Sequence, residues 1–144
     1  MTPDVNVLVS AARLEHPHHK PALRWLENAA NVTTDGRRLA LLPGVIAGYL
    51  RATTNRKIFP APTPIGAAIE FIDSLLGLAH VSVLANGREW SHLRALCLQK
   101  SLIANSVPDA WIAAQVLEHR EVLATFDRDF TQLLPAASLL LLKP

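Results

Sequence analysis

Cysteine is nearly absent from this 144-residue chain, and the single thiol, Cys97, excludes an intrachain disulfide. It falls in a helical pattern beside Leu93 and Leu96, where it is expected to pack as a small apolar residue in a reducing cytoplasm. Long apolar runs are missing too. No stretch approaches the roughly 18 uncharged apolar residues of a membrane-crossing helix, and Pro3 and Asp4 precede the first apolar run with no signal-peptide pattern. A soluble, unexported protein is expected. Charge of one sign is scarce as well: 14 Lys and Arg against 12 Asp and Glu leave a formal +2, with a pI near 9.0. A surplus so small and so scattered permits RNA as a partner without identifying one. The chain also has no internal repeat, linker or low-complexity tract.

What the chain does have is hydrophobic residues at half of its positions, enough for one core and a single domain over residues 1–144. DVNVLVSA is a continuous β-branched and aliphatic run, which predicts a first strand from Asp4 to Ser10, buried on both faces. From Pro21, the apolar positions Leu23, Leu26, Ala29 and Ala30 recur at helical spacing. Arg38 to Leu42 reads as a short strand stopped by Pro43-Gly44, and Val45, Ile46, Tyr49, Leu50 and Thr53 trace the next helix. Three prolines make Asn55 to Pro64 a loop. Ile65 to Leu76 is an amphipathic helix ending near Gly77, His80 to Leu84 a strand, and Trp90 to Cys97 a helix. Asp109 to His119 is the last helix, followed by strands over Val122–Phe126 and Ser138–Leu142. This alternation predicts a three-layer α/β/α domain with a mostly parallel sheet, whose ligand sits beyond the carboxyl ends of the strands.

Acidic residues stand at several of those ends: Asp4, Asp109, Asp127 and Asp129. Two carboxylates about 5 Å apart repel by roughly 3 kcal/mol at an effective dielectric of 20, so both stay ionised only with a cation between them. Hydrated Mg²⁺, with Mn²⁺ as a substitute, suits such oxygen donors. Each residue also has a plainer role. Asp4 can cap a turn, Asp109 can cap the helix after Pro108, and Asp127 and Asp129 can form a turn. The combination, in an α/β order that gathers those ends, favours a metal site.

DVNVLV at the start, PDAWIAA about a hundred residues on, and TFDRDF soon after resemble the three signature blocks of PIN-domain ribonucleases, in particular the VapC toxins of bacterial toxin–antitoxin pairs. The resemblance spans essentially the whole chain, and GYLRATTNRKIF is similar to a subgroup abundant in mycobacteria. It implies that Asp4 and Asp109 bind Mg²⁺, that Asp127 completes the acidic cluster, and that Asn6 and Thr125 support it by hydrogen bonds. PIN domains usually carry a further Glu where this chain has Gly48. With one carboxylate fewer, either one ion suffices, Asp129 takes its place, or activity is poor. The implied activity is Mg²⁺-dependent endoribonuclease action on RNA, with tRNA or ribosomal RNA the usual targets of the family. The implied partners are a second copy of the chain in a homodimer and a VapB-type antitoxin whose tail occupies the acidic groove.

Among the cations, Arg13, Lys20, Arg24, Arg51, Arg56 and Lys57 are candidates to line an RNA path, and Arg51 and Arg56 stand out because they flank the loop nearest the acids. His16, His18 and His19 lie on a proline-broken segment that reads as a solvated loop. Trp25, Trp90 and Trp111 fall in helical patterns and read as packing or interface residues. A haloacid-dehalogenase phosphatase also starts from an Asp at the end of a first strand but needs a second Asp two residues on, where this chain has Asn6. The stronger alternative is a PIN fold that has lost activity with its Glu and only binds RNA or a protein.

Overall fold

The computed structural model describes residues 1–31, 38–103 and 106–144. Among the described residues there are five strands, β1 (Thr2–Pro3), β2 (Leu39–Leu41), β3 (Val81–Val83), β4 (Leu123–Thr125) and β5 (Leu139–Leu141), with six α-helices set in pairs between the first four. The helices are α1 (Val5–Ala12), α2 (His19–Asn31), α3 (Pro43–Thr53), α4 (Ile65–Leu76), α5 (Glu89–Lys100) and α6 (Ser106–Glu118). Every strand pair is parallel: Leu39, Ala40 and Leu41 lie opposite Val81, Ser82 and Val83; Thr2 and Pro3 opposite Leu123 and Ala124; and Leu123 to Thr125 opposite Leu139 to Leu141. Ala40 N–H donates to the Met1 carbonyl at 2.9 Å and joins the two ladders, giving the order β3-β2-β1-β4-β5. Helices cover this sheet as a three-layer α/β/α sandwich, as expected.

The chain leaves β1 for β2 and β3 on one side and returns to its other side with β4 and β5. The switch point therefore lies between β1 and β4, where open α/β sheets form their ligand crevice. Pro3 is tolerated in the central strand because β1 bonds to β4 through its neighbours: Thr2 N–H reaches Val122 O and Asp4 N–H reaches Ala124 O, both at 2.9 Å.

The first strand is a correction. β1 stops at Pro3, and the residues expected as a strand from Asp4 to Ser10 form helix α1 instead. Asp4 is its N-cap, accepting from Val5 N–H at 2.6 Å, and the Asp4 carbonyl starts the helical ladder to Val7 and Leu8. Val7, Leu8, Val9, Ser10 and Ala11 are all buried. An apolar run enclosed on every side carries neither a two-residue nor a 3.6-residue period, so β-branched content misled and the cap decided. The last helix likewise begins at Ser106, three residues before Asp109, with Pro108 in its first turn where a missing N–H costs nothing.

The core runs along both faces of the sheet, with Leu8, Leu26, Leu41, Tyr49, Val116 and Phe130 almost fully buried. Among the described residues no helix is long and apolar enough to cross a membrane.

Candidate active-site groove

Asp4 leaves the end of β1 and is only 4% exposed, yet its carboxylate is well satisfied. Oδ1 accepts from Val5 N–H, while Oδ2 accepts from Asn6 Nδ2 at 2.7 Å and Thr125 Oγ1 at 2.6 Å. A carboxylate offers about four lone pairs, so three donors leave one on Oδ1. Asn6 and Thr125 are themselves fixed. Asn6 Nδ2 also donates to Thr125 Oγ1 at 2.9 Å, Phe126 N–H donates to Asn6 Oδ1 at 3.3 Å, and Asp127 N–H donates to Thr125 Oγ1 at 3.0 Å. This closed network ties the end of β1 to the end of β4 and sets Asp127 at the same edge. Asn6 reaches Asp4 from the first turn of a helix, not along the strand expected from Asp4 to Ser10.

Burial pushes the Asp4 carboxyl up from 3.8 to about 6, against the pull of the Thr125 and Val5 hydrogen bonds, and the charges of Asp109 and Asp127 push the same way. Asp109, in the first turn of α6, is raised chiefly by burial and then by Asp127 and Asp129. The acids therefore feel one another across a common space. Asp4, Asn6, Asp109 and Asp127 all line a groove of about 770 Å³ at the carboxyl edge of the sheet, a volume of the size that takes a small ligand.

Arg51, on α3, borders that groove; Arg56, Lys20, Arg24 and Lys57 are exposed and do not line it. Asp129 is exposed outside the groove, and its backbone N–H donates to Asp127 Oδ1 at 2.8 Å. Arg13 is not a free cation on an RNA path. It is 9% exposed, donates to Thr63 Oγ1 and the Ala61 carbonyl at 2.9 Å each, pairs with Glu15, and packs its guanidinium 3.9 Å from the Phe59 ring centroid. It thus pins the proline-rich loop to the end of α1 and fixes Phe59, which forms part of the groove wall.

Two further wall residues escaped the sequence reading. His16 is half-buried and lines the groove, because α1 rises only about 1.5 Å per residue and the chain then turns back, where a strand would have carried it away at about 3.3 Å per residue. Trp111, two residues beyond Asp109, also lines the groove instead of serving only as core packing. Its indole edge lies against α3 at Gly44, where a Cβ would stand 3.2 Å from Trp111 Nε1.

Gly48 borders the groove as well, and a Cβ there would meet Val5 Cγ2 at 2.7 Å. The place of a longer side chain is taken by that methyl group.

An α/β sandwich with carboxylates at its switch point defines a class of oxygen-donor sites suited to hard cations and phosphate esters. The chain belongs to the PIN-domain family, whose model matches residues 1–133. Ribonuclease VapC25 of Mycobacterium tuberculosis is 32% identical over 131 residues, covering 90% of this chain and 89% of that protein. Ribonuclease VapC43 of the same species is 35% identical over 130 residues, covering 90% and 86%. Among solved structures, that of VapBC2 from Rickettsia felis bound to a promoter DNA fragment matches with a TM-score of 0.67 at 19% identity, over 99% of this chain and 98% of that one. At that identity the likeness supports the fold.

The divalent ion implied by the resemblance can be tested against these donors. Among the described residues no three of His, Cys, Asp and Glu converge as a ready-made metal cage. Mg²⁺ does not ask for one: it keeps several waters and takes one or two carboxylates. The free lone pair on Asp4 Oδ1, with Asp109 bordering the same groove and both acids raised chiefly by burial and further by neighbouring carboxylates, fits that kind of ion.

Proposed function

We propose that this chain is a Mg²⁺-dependent endoribonuclease of the VapC toxin type, with tRNA or ribosomal RNA as substrate and Mn²⁺ able to replace Mg²⁺. The observation that carries this is the meeting of Asp4, Asp109 and Asp127 in one groove, in a chain more than 30% identical to ribonucleases over nine-tenths of its length. Asp4 and Asp109 would hold the ion, which when bound supplies Lewis acidity toward a phosphoryl oxygen and an acidified water. The chain's own contribution is positional. Asn6 and Thr125 lock the Asp4 carboxylate in one orientation, so its free lone pair is aimed before any ligand arrives. Asp127, fixed through its backbone to Thr125, adds negative charge at the same edge, and Arg51 offers a counter-charge for the RNA backbone.

The same reading makes the protein a cytoplasmic homodimer held in check by a VapB-type antitoxin, whose tail enters the groove and sets an Arg against the carboxylates. The likeness to the Rickettsia felis VapBC2 structure supports such a partner. A second reading, a PIN-fold module that binds RNA or protein without turnover, is favoured by Gly48, where the Val5 methyl occupies the space a side chain would need.

Incubating the purified protein with total RNA in Mg²⁺, with EDTA and Asp109→Asn as controls, separates the two. Discrete new 5′ ends that vanish in both controls support the nuclease. An intact RNA pool beside a folded, antitoxin-free protein rejects it in favour of the binding module.

A further inference from the structure

The segment between α1 and α2 was expected to be a solvated loop, but its imidazoles are half-buried and in contact. The rings of His16 and His18 meet edge to face with centroids 5.6 Å apart, and His18 lies 4.6 Å from the ring of Phe126, the neighbour of Asp127. His18 N–H donates to Nδ1 of His16 at 3.1 Å. A backbone N–H can only donate, so Nδ1 holds a lone pair and the proton of the neutral ring sits on Nε2. Nε2 bonds to no described residue, and it is not among the buried polar atoms left without a partner, so it is exposed to solvent on a side chain that lines the groove. Burial, and next the charge of His18, lower the pKa of His16 below the ordinary imidazole value, so the ring is neutral near pH 7.

This arrangement excludes one role and defines another. A neutral imidazole with its proton already on the exposed nitrogen has no lone pair there to act as a base, and it is too weak an acid to protonate a leaving group. It can donate one hydrogen bond. We propose that His16 is a substrate-binding residue, donating from Nε2–H to an oxygen acceptor of an RNA strand lying between the carboxylates and the wall formed by Arg51, Phe59 and Trp111. The proposal rests on the nucleic-acid reading of the groove but not on turnover. Catalysis and RNA binding are therefore measured apart.

Two amides divide the functions of the ring. In His16→Asn the side-chain oxygen can take the place of Nδ1 and keep the bond from His18 N–H, but nothing replaces Nε2. In His16→Gln the side-chain amide reaches the position of Nε2 and the Nδ1 contact is lost. Binding of a fluorescently labelled single-stranded RNA is followed by anisotropy with Ca²⁺ in place of Mg²⁺, with thermal unfolding of each variant alongside. The Asn variant is expected to bind about tenfold more weakly and the Gln variant within about twofold of the parent. The opposite order means that His16 only holds the loop, and equal effects or none mean that the donor is irrelevant. Each of those results overturns the proposal, as does failure of the parent to bind RNA. If the parent binds with the expected order yet cleaves nothing in Mg²⁺, the nuclease reading fails and the assignment of His16 stands.

Discussion

The buried Asp4 carboxyl makes the stability of the metal-free protein depend on pH in a direction opposite to that of an ordinary surface acid. Its pKa is about 6 in the folded chain against 3.8 when exposed. Between those values the folded state holds a proton that the unfolded state has released, so stability falls as pH rises through the window and is flat beyond it. The difference of about two units, at 1.36 kcal/mol each, amounts to about 3 kcal/mol lost between roughly pH 4 and 7. For a chain of this length that is roughly 6–12 °C in Tm. Asp109, also raised, adds in the same direction. Thermal unfolding in EDTA across that range, for the parent and for Asp4→Asn, isolates the effect, since every other titrating group is shared. The parent is expected to lose stability relative to the variant as pH rises. Mg²⁺ added above pH 7 should restore it in the parent and not in Asp4→Asn, because an ion that binds only the folded state stabilises it by mass action. A flat difference between the two proteins, or one that grows in the parent's favour with pH, would refute the account of Asp4 as a desolvated carboxyl.

Thr125→Val removes the hydroxyl that donates to Asp4 and accepts from Asn6 and Asp127, leaving buried groups unpaired; RNA cleavage is expected to fall by about 10- to 100-fold with a smaller loss of stability, read from initial rates and urea midpoints. Arg13→Lys cannot span Thr63, the Ala61 carbonyl and Phe59 at once, so limited proteolysis should cut the loop at Asn55–Pro64 faster than in the parent; equal rates would show that the guanidinium does not pin it. Gly48→Glu alone is expected to lower Tm because its Cβ meets Val5 Cγ2 at 2.7 Å, and Val5→Ala in the same chain should recover about 1 kcal/mol or more of that loss. Additive effects in that double-mutant cycle would remove the steric argument.

The order of strands and helices was legible because each boundary carries its own local chemistry: Pro43 opens α3, Pro64 precedes α4, and Gly77 closes it. The acids were legible for a related reason, since a charge beside an apolar run has few places to go in a folded chain. What could not be read was the path of the chain between these points. Val5 to Ala11 is apolar at nearly every position, and a segment enclosed by neighbours on all sides shows no period from which helix and strand can be told apart. The sequence reading placed His16 on a solvated, proline-broken segment and left Arg13 as one candidate cation on an RNA path. The helix brings both back. Arg13 then meets residues 48 and 50 positions away, and His16 joins a groove whose acids come from residues 4, 109 and 127.

The N-cap also changes what Asp4 means. As a strand residue it would have been an anomaly in an apolar core, explained only by a metal. As a cap it has a structural task of its own, holding Val5 N–H, and its two other donors would be satisfied with or without a cation. The functional signal is therefore what capping leaves unexplained. A cap needs one acceptor and is content at the surface, where its pKa would be low. Asp4 is buried, carries three donors, keeps one lone pair in reserve, and is raised further by two other carboxylates on the same groove. A cap alone gains nothing from those neighbours. A site that must attract a cation gains from each of them, and for that reason the unfavourable electrostatics of Asp4 carry more of the functional argument than the hydrogen bonds that offset it.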